Sequence, residues 1–288
     1  MATVREIRRR IIAVKSTMKI TRAMQMVAAA KLRRAQENIL KIRPYANQLE
    51  KTIAQVAMRT KRDLHPLLRE KKCEVKNMLV VVTADSGLCG GFNANTIKAA
   101  RNYIAEHHYC EKIDMYAIGR KGRDFFRKND FNVVGQKVMF FNHLKYSDPV
   151  EVVTDITDIY LKGDYDRVDI LYNEFKSAIQ QALRVKQFLP LVPAEAPESI
   201  TPVDYIYEPS EFSMFDILIP YHLETQMWRV MLESYASEMG AKMTAMDAAT
   251  ENADDLLNVL SISYNRARQA QITREISEIV GGAESLKT

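Results

Sequence analysis

The sequence predicts an α+β protein in which long helices from the two chain ends pair as an antiparallel coiled coil, with an α/β domain inserted between them. Three observations carry this. Both ends hold apolar residues at alternating steps of three and four; the middle alternates short apolar runs with helical patterns; and the two ends carry opposite charge.

From Val4 the N-terminal seam reads Val4, Ile7, Ile11, Val14, Met18, Thr21, Gln25, Ala28, Leu32, Ala35, Ile39, Ile42, Ala46, Leu49, Ile53 and Val56. Only Thr21 and Gln25 are not apolar, and no glycine occurs before Gly87. Such a seam is the signature of a coiled-coil helix. Pro44 is expected to do no more than kink it locally. The seam fails at Thr60 and Asp63, so a helical segment of residues 1–62 is expected. Met24 and Met26 lie off the seam and are expected to face outward.

The C-terminal third repeats the spacing in Leu232, Ala236, Met239, Met243, Met246, Thr250, Ala253, Leu257, Leu260, Tyr264 and Ala267. Beyond Ala267 the apolar residues move to another face, at Ile272, Ile276 and Ile279, and Gly281-Gly282 marks the expected end. No proline falls between Tyr221 and Val280. Sixty helical residues span about 90 Å, longer than a compact domain of this chain length, so the helix needs a partner. The matching seam is the N-terminal one, and alanines in both allow close approach. If residue 60 lies beside about 208, residue 4 lies beside about 264, and the last two dozen residues run on as a single helix. A bare helical tip of that kind needs a sheath from another protein. The expected C-terminal segment is 209–288.

Charge agrees with the pairing. The net charge of +5 conceals 16 Lys/Arg against 3 Asp/Glu in residues 1–62, and 6 against 13 in residues 208–288. Complementary ends favour lying side by side. Read alone, the basic helix also suits a nucleic-acid-binding arm, the main alternative.

Between the helices, residues 63–208 form the expected α/β domain, Rossmann-like in its alternation. Met78–Thr83 reads as a strand, followed by a glycine-bearing loop and a helix over 93–106. Ile113–Ile118 is a second strand with a helix at 120–128. A third strand is expected near 133–141, a helix at 149–161, a fourth strand at 168–173 and another at 183–191. Such alternation implies a mostly parallel sheet.

The loop Ala84–Phe92 is the tempting chemical site, since a glycine-rich turn into a helix cradles phosphate. Its spacing, G-x-x-G-G, is neither a dinucleotide fingerprint nor a Walker loop, and the second strand ends without the acidic residue that holds a ribose. A tight structural turn is the better account. Cys89 has no histidine at catalytic spacing and reads as a packed thiol. His107 and His108 are adjacent on a helical pattern and do not pair for a metal. Cys73, Cys89 and Cys110 lack the spacing of a zinc site or disulfide framework. No apolar run approaches the roughly 18 residues of a membrane span. The arginine-rich N-terminus resembles a transit peptide, but its apolar spacing continues unbroken into the next fifty residues. No catalytic residue, metal or cofactor is expected.

The segments Lys19–Ala35, Ser237–Ala253 and Tyr264–Val280, with Gly87–Gly91 and Ile118–Gly122, resemble the F-type ATP synthase gamma subunit of the bacterial type. Three positions depart from its pattern: Ser86 where a basic residue is common, Gly240 where Ala is usual, and Asp247 where Lys is usual. The cysteine-bearing regulatory insertion of chloroplast members is missing. The resemblance implies a non-catalytic rotor shaft, standing in a ring of alternating alpha and beta subunits and turned by the membrane c-ring during ATP synthesis coupled to proton transport. Catalysis would belong to beta. It implies contacts to the ring from Arg268, Gln269, Thr273 and Glu275, with Lys19, Arg22 and Met24 at the neighbouring bearing level. Tyr205, Tyr207 and Glu208 would form a foot meeting the c-ring and the epsilon subunit. The implied location is peripheral, on the cytoplasmic face of a bacterial cell membrane. Neither nucleic acid nor a small-molecule substrate is an expected partner.

Overall fold

The computed structural model describes residues 3–57, 65–69, 75–107, 109–141, 144–192 and 211–285. Helix α1 spans Val4–Ala57 and helix α5 spans Glu211–Ser285. Between them lie β1 (Lys76–Val82), α2 (Phe92–Glu106), β2 (Lys112–Ile118), α3 (Arg120–Lys128), β3 (Val133–Lys137), α4 (Ser147–Leu161), β4 (Arg167–Phe175) and β5 (Gln181–Leu189). The chain divides into two compact units, one of Met1–Ala28 with Met243–Thr288 and one of Ala29–Lys242. The domain boundaries expected at 62/63 and 208/209 fall outside the described residues.

The first unit is a two-helix section. Ile7, Thr21 and Ala28 of α1 are buried, as are Met246, Ala253 and Leu257 of α5. The hydroxyls of Thr21 and Thr250 meet at 2.8 Å, and Gln25 Nε2 donates to Asp247 Oδ1 at 2.7 Å, so the helices run antiparallel. Thr21 therefore lies beside Thr250 rather than near 247, a shift of about one helical turn from the expected register. In this alignment the two threonines and the Gln25–Asp247 pair meet across the seam, while each threonine hydroxyl also bonds a carbonyl of its own helix, Met18 at 3.1 Å and Met246 at 2.8 Å. Met26 is exposed as expected, whereas Met24 is half-buried.

The second unit is built on a five-stranded sheet of order β3-β2-β1-β4-β5. Its first four strands are parallel, and β5 pairs antiparallel with β4. Central β1 is buried on both faces, which explains its unbroken apolar run. Met78, Val80 and Val82 meet Val152, Val153 and Ile156 of α4 and Phe215, Ile219, Leu223 and Met227 of α5. Leu79 and Val81 face Ala100 and Tyr103 of α2 and Phe126 of α3. In the same unit the α1 seam continues through the buried Leu32, Ala35, Ile39, Ala46, Leu49 and Ile53.

Several boundaries differ from expectation. Strand β3 stops at Lys137 instead of near 141, because Met139 adopts a φ of 64° and Phe140 and Phe141 turn into the core. Helix α5 begins at Glu211 and runs through Pro220. Proline removes one backbone hydrogen bond, and burial of Phe215, Ile219 and Leu223 around it, worth about 1.5–3 kcal/mol each, outweighs that loss. Gly281-Gly282 does not end α5, which continues to Ser285. Glycine lowers helix propensity by about 1 kcal/mol but keeps its N–H donor.

Candidate functional site

In a doubly wound sheet, ligands enter the crevice beyond the carboxyl ends of the strands, where the strand order reverses. Here that point lies between β1 and β4. The loop after β1 is tightly tied: the Ala84 N–H donates to Asn93 Oδ1 at 2.9 Å, and Asp85 Oδ1 accepts from the backbone N–H of Arg120 and of Met139, both at 2.9 Å. Leu88 and Gly90 take left-handed conformations, with φ of 63° and 54°.

Helix α5 occupies the crevice. Ser237 Oγ donates to the Asn173 carbonyl at 3.1 Å, and Ala241 packs with Ala84, Cys89 and Phe92. Lys242 Nζ donates to Ser86 Oγ at 2.8 Å and to Glu238 Oε1 at 2.9 Å. Ser86, the departure from the basic residue of the resembled family, thus leaves the Glu238 carboxylate to Lys242 alone as its cation within the triad. Desolvation raises the Glu238 pKa, partly opposed by Lys242. Gly240, another departure, lets α5 approach the β4–β5 turn: a Cβ there would stand 3.0 Å from the Ala178 carbonyl oxygen. Side chains of α5 thus pack against the loop after β1 and against β4, at the carboxyl ends of the strands. Cys89 is buried, and desolvation pushes its thiol pKa up, away from the reactive thiolate. His107 stacks on the Tyr103 ring at 3.9 Å between centroids; His108 lies outside the described residues.

The residues singled out on the helices lie at two separate levels of the first unit. Lys19 and Arg22 are exposed and flank the Thr21–Thr250 contact, with Met24 half-buried beside them. The acidic Asp247, Glu251, Asp254 and Asp255 lie on the facing stretch of α5, all exposed, so the basic stretch of α1 is answered by charge on its own partner. Arg268 is about 27 Å further along α5 at the helical rise. The α5 seam is half-buried as far as Ala267, and from Arg268 to Gly282 every residue is exposed. This tip carries Arg268, Gln269, Thr273 and Glu275, the last accepting a 2.9 Å bond from Gln271 Nε2. It also carries exposed Ile272, Ile276, Ile279 and Val280. An exposed apolar stripe of this kind is a candidate interaction surface. Tyr205, Tyr207 and Glu208 lie outside the described residues.

Among the described residues no group of three or more His, Cys, Asp or Glu is arranged to hold a metal, and no helix is long and apolar enough to cross a membrane. One buried titratable group has a large consequence. His222 on α5 is 4% exposed, and desolvation followed by repulsion from Lys186 depresses its pKa to about 4. A depressed base stabilises the fold above its unfolded pKa and loses that contribution as pH falls through the folded one. Chemical denaturation is therefore expected to show about 3 kcal/mol lost between pH 7 and pH 4. His222→Phe should flatten that slope, and an unchanged slope would contradict the assignment.

A sequence profile of the family described as ATP synthase matches residues 3–286. The chain is 48% identical to a protein named ATP synthase gamma chain from Chlorobaculum parvum, over 100% of both chains. It is also 48% identical to the protein of that name from Chloroherpeton thalassium, over 100% of this chain and 99% of that one. Among solved structures, a chain of the Euglena gracilis mitochondrial ATP synthase OSCP/F1/c-ring assembly aligns with a TM-score of 0.70 at 20% identity, covering 98% of this chain and 94% of that one. A chain of the Tetrahymena thermophila mitochondrial ATP synthase central stalk/c-ring aligns with a TM-score of 0.61 at 20% identity, covering 80% of this chain and 99% of that one.

Proposed function

Because this chain belongs to the ATP synthase gamma-chain family, we propose that it is the central rotor stalk of an F-type ATP synthase, transmitting torque between an ion-driven c-ring and the catalytic beta subunits. The observation that carries the reading is the tip of α5, exposed on every side beyond the last seam residue. Alpha and beta subunits in alternation form the sheath around it, and catalysis takes place on beta. The assembly sits peripherally on the cytoplasmic face of a bacterial membrane.

Torque works through differential contact. A single helix has unlike faces, so each surrounding subunit meets a different set of side chains as the shaft turns. Moving a two-state site from 1:99 to 99:1 requires about 5.5 kcal/mol of differential free energy. A charged hydrogen bond contributes about 1.5–3 kcal/mol, so contacts from Arg268, Gln269, Thr273 and Glu275, with the isoleucine stripe beside them, reach that scale. Lys19, Arg22 and Met24 guide the shaft at a second level. Tyr205, Tyr207 and Glu208 form the foot against the c-ring and epsilon.

The test is native mass measurement of the intact assembly. One copy of the chain with three alpha, three beta, one epsilon and the c-ring is the expected composition. Recovery without those subunits, with salt-sensitive binding to nucleic acid, would overturn the proposal in favour of a basic coiled-coil arm.

A further inference from the structure

Where α1, β5 and α5 meet in the second unit, two adjoining cavities, an outer and an inner lobe, share one wall beside His222. The outer lobe, about 220 Å³, is lined by Glu50, Ile53, Leu191 and Val192. The inner, about 30 Å³, is lined by Phe188, Leu223 and Gln226, and both lobes share Lys186, Gln187, Leu191 and His222.

The inner lobe is lined by an ammonium, two amides and an imidazole, and the one carboxylate, Glu50, lies in the outer lobe only. Lys186 Nζ donates to Gln226 Oε1 at 3.1 Å. A lysine only donates, so this contact fixes the orientation of the Gln226 amide and leaves its Nε2 as the other polar end. Gln226 Nε2 and His222 Nδ1 are buried, and neither has a hydrogen-bond partner among the described residues. Their residues are only 7% and 4% exposed. Leaving such groups unsatisfied is costly; a carboxylate accepts from Gln226 and from the Nδ1–H tautomer of His222, and pairs with the charge of Lys186.

We propose that this cavity binds a small organic carboxylate, its head group held in the inner lobe by Lys186, Gln226 and His222 and its short aliphatic tail lying against Ile53, Leu191 and Val192. The charged groups nearby bear on this. Glu50 lines the outer lobe only and is the counter-charge to Lys186, while the Arg229–Glu233 pair on α5 is closed on itself at 2.8 Å. A carboxylate therefore competes with Glu50 for the lysine.

Calorimetric titration of the full chain with acetate, butyrate and inorganic phosphate tests this. Saturable butyrate binding, tighter than acetate or phosphate, is expected, since neither of those fills the outer lobe. Gln226→Leu should weaken it about tenfold by removing a donor to a charged acceptor. Val192→Trp should weaken it by filling the mouth without touching the donors, and Glu50→Gln should strengthen it by removing the competitor. Equal, non-saturable heats for all three anions, indifferent to Glu50→Gln and Val192→Trp in folded protein, would show a site filled by water alone and overturn the assignment. Tighter phosphate than butyrate binding would overturn the organic class.

Discussion

Replacing Gly119 by alanine is expected to abolish cooperative folding of the α/β unit. Gly119 joins β2 to α3 with φ of 93°, and its N–H donates to the Lys137 carbonyl at 2.8 Å. A Cβ there would stand 2.0 Å from the Thr83 carbonyl oxygen and 2.7 Å from its carbon. Those are backbone atoms of a residue that cannot retreat. The Thr83 N–H donates to the Ile118 carbonyl at 2.8 Å, and its hydroxyl accepts from the Gly122 N–H at 2.8 Å. Either β1 and β2 separate or the turn is rebuilt. The cost, above about 4 kcal/mol, approaches the whole stability of an ordinary domain. Gly163 supplies the control. Its φ of 84° is equally left-handed, but nothing lies within 4 Å of a Cβ there, so Gly163→Ala should cost only about 1–2 kcal/mol. Urea unfolding of both variants separates clash from strain. Similar losses in the two would refute the close-approach argument.

Ending the chain after Ala267 is expected to cut coupled ATP synthesis in reconstituted vesicles severalfold, with the thermal transition of the α/β unit unmoved. The removed residues from Arg268 to Gly282 are all exposed, so they add nothing to the buried core. Under the proposed function they carry the contacts by which the shaft biases each beta subunit. Replacing Arg268 and Gln269 by alanine should reproduce part of the loss, since each removes polar contacts that break and re-form with every step. Unchanged coupling in both variants would remove those residues from the mechanism, whereas a fall in the melting temperature would show a structural role instead.

Much of the fold was legible in the residues because helix and strand faces are local properties. Every N-terminal seam position from Val4 to Ile53 is buried or half-buried, and the strands lie within a few residues of their expected spans. The bare tip beyond Ala267 was legible for the same reason: the seam simply changes face there. The polar seam residues Thr21 and Thr250 also held the register signal, and pairing them would have corrected the one-turn error.

The sequence by itself thus determined which faces of each helix and strand must be covered, since that follows from side-chain period alone. Only the tertiary structure decided what covers them. Ser237, Glu238 and Lys242 of α5 close the crevice by meeting Asn173 of β4 and Ser86 of the loop after β1, and Lys186 of β5 meets Gln226 and His222 of α5 around one cavity, so each meeting joins elements apart in the chain. No local pattern encodes such meetings, because they depend on how strands and helices cross once the sheet has formed. For that reason a loop that invited a phosphate is closed by α5, while an unremarked stretch of the same helix lines the cavity.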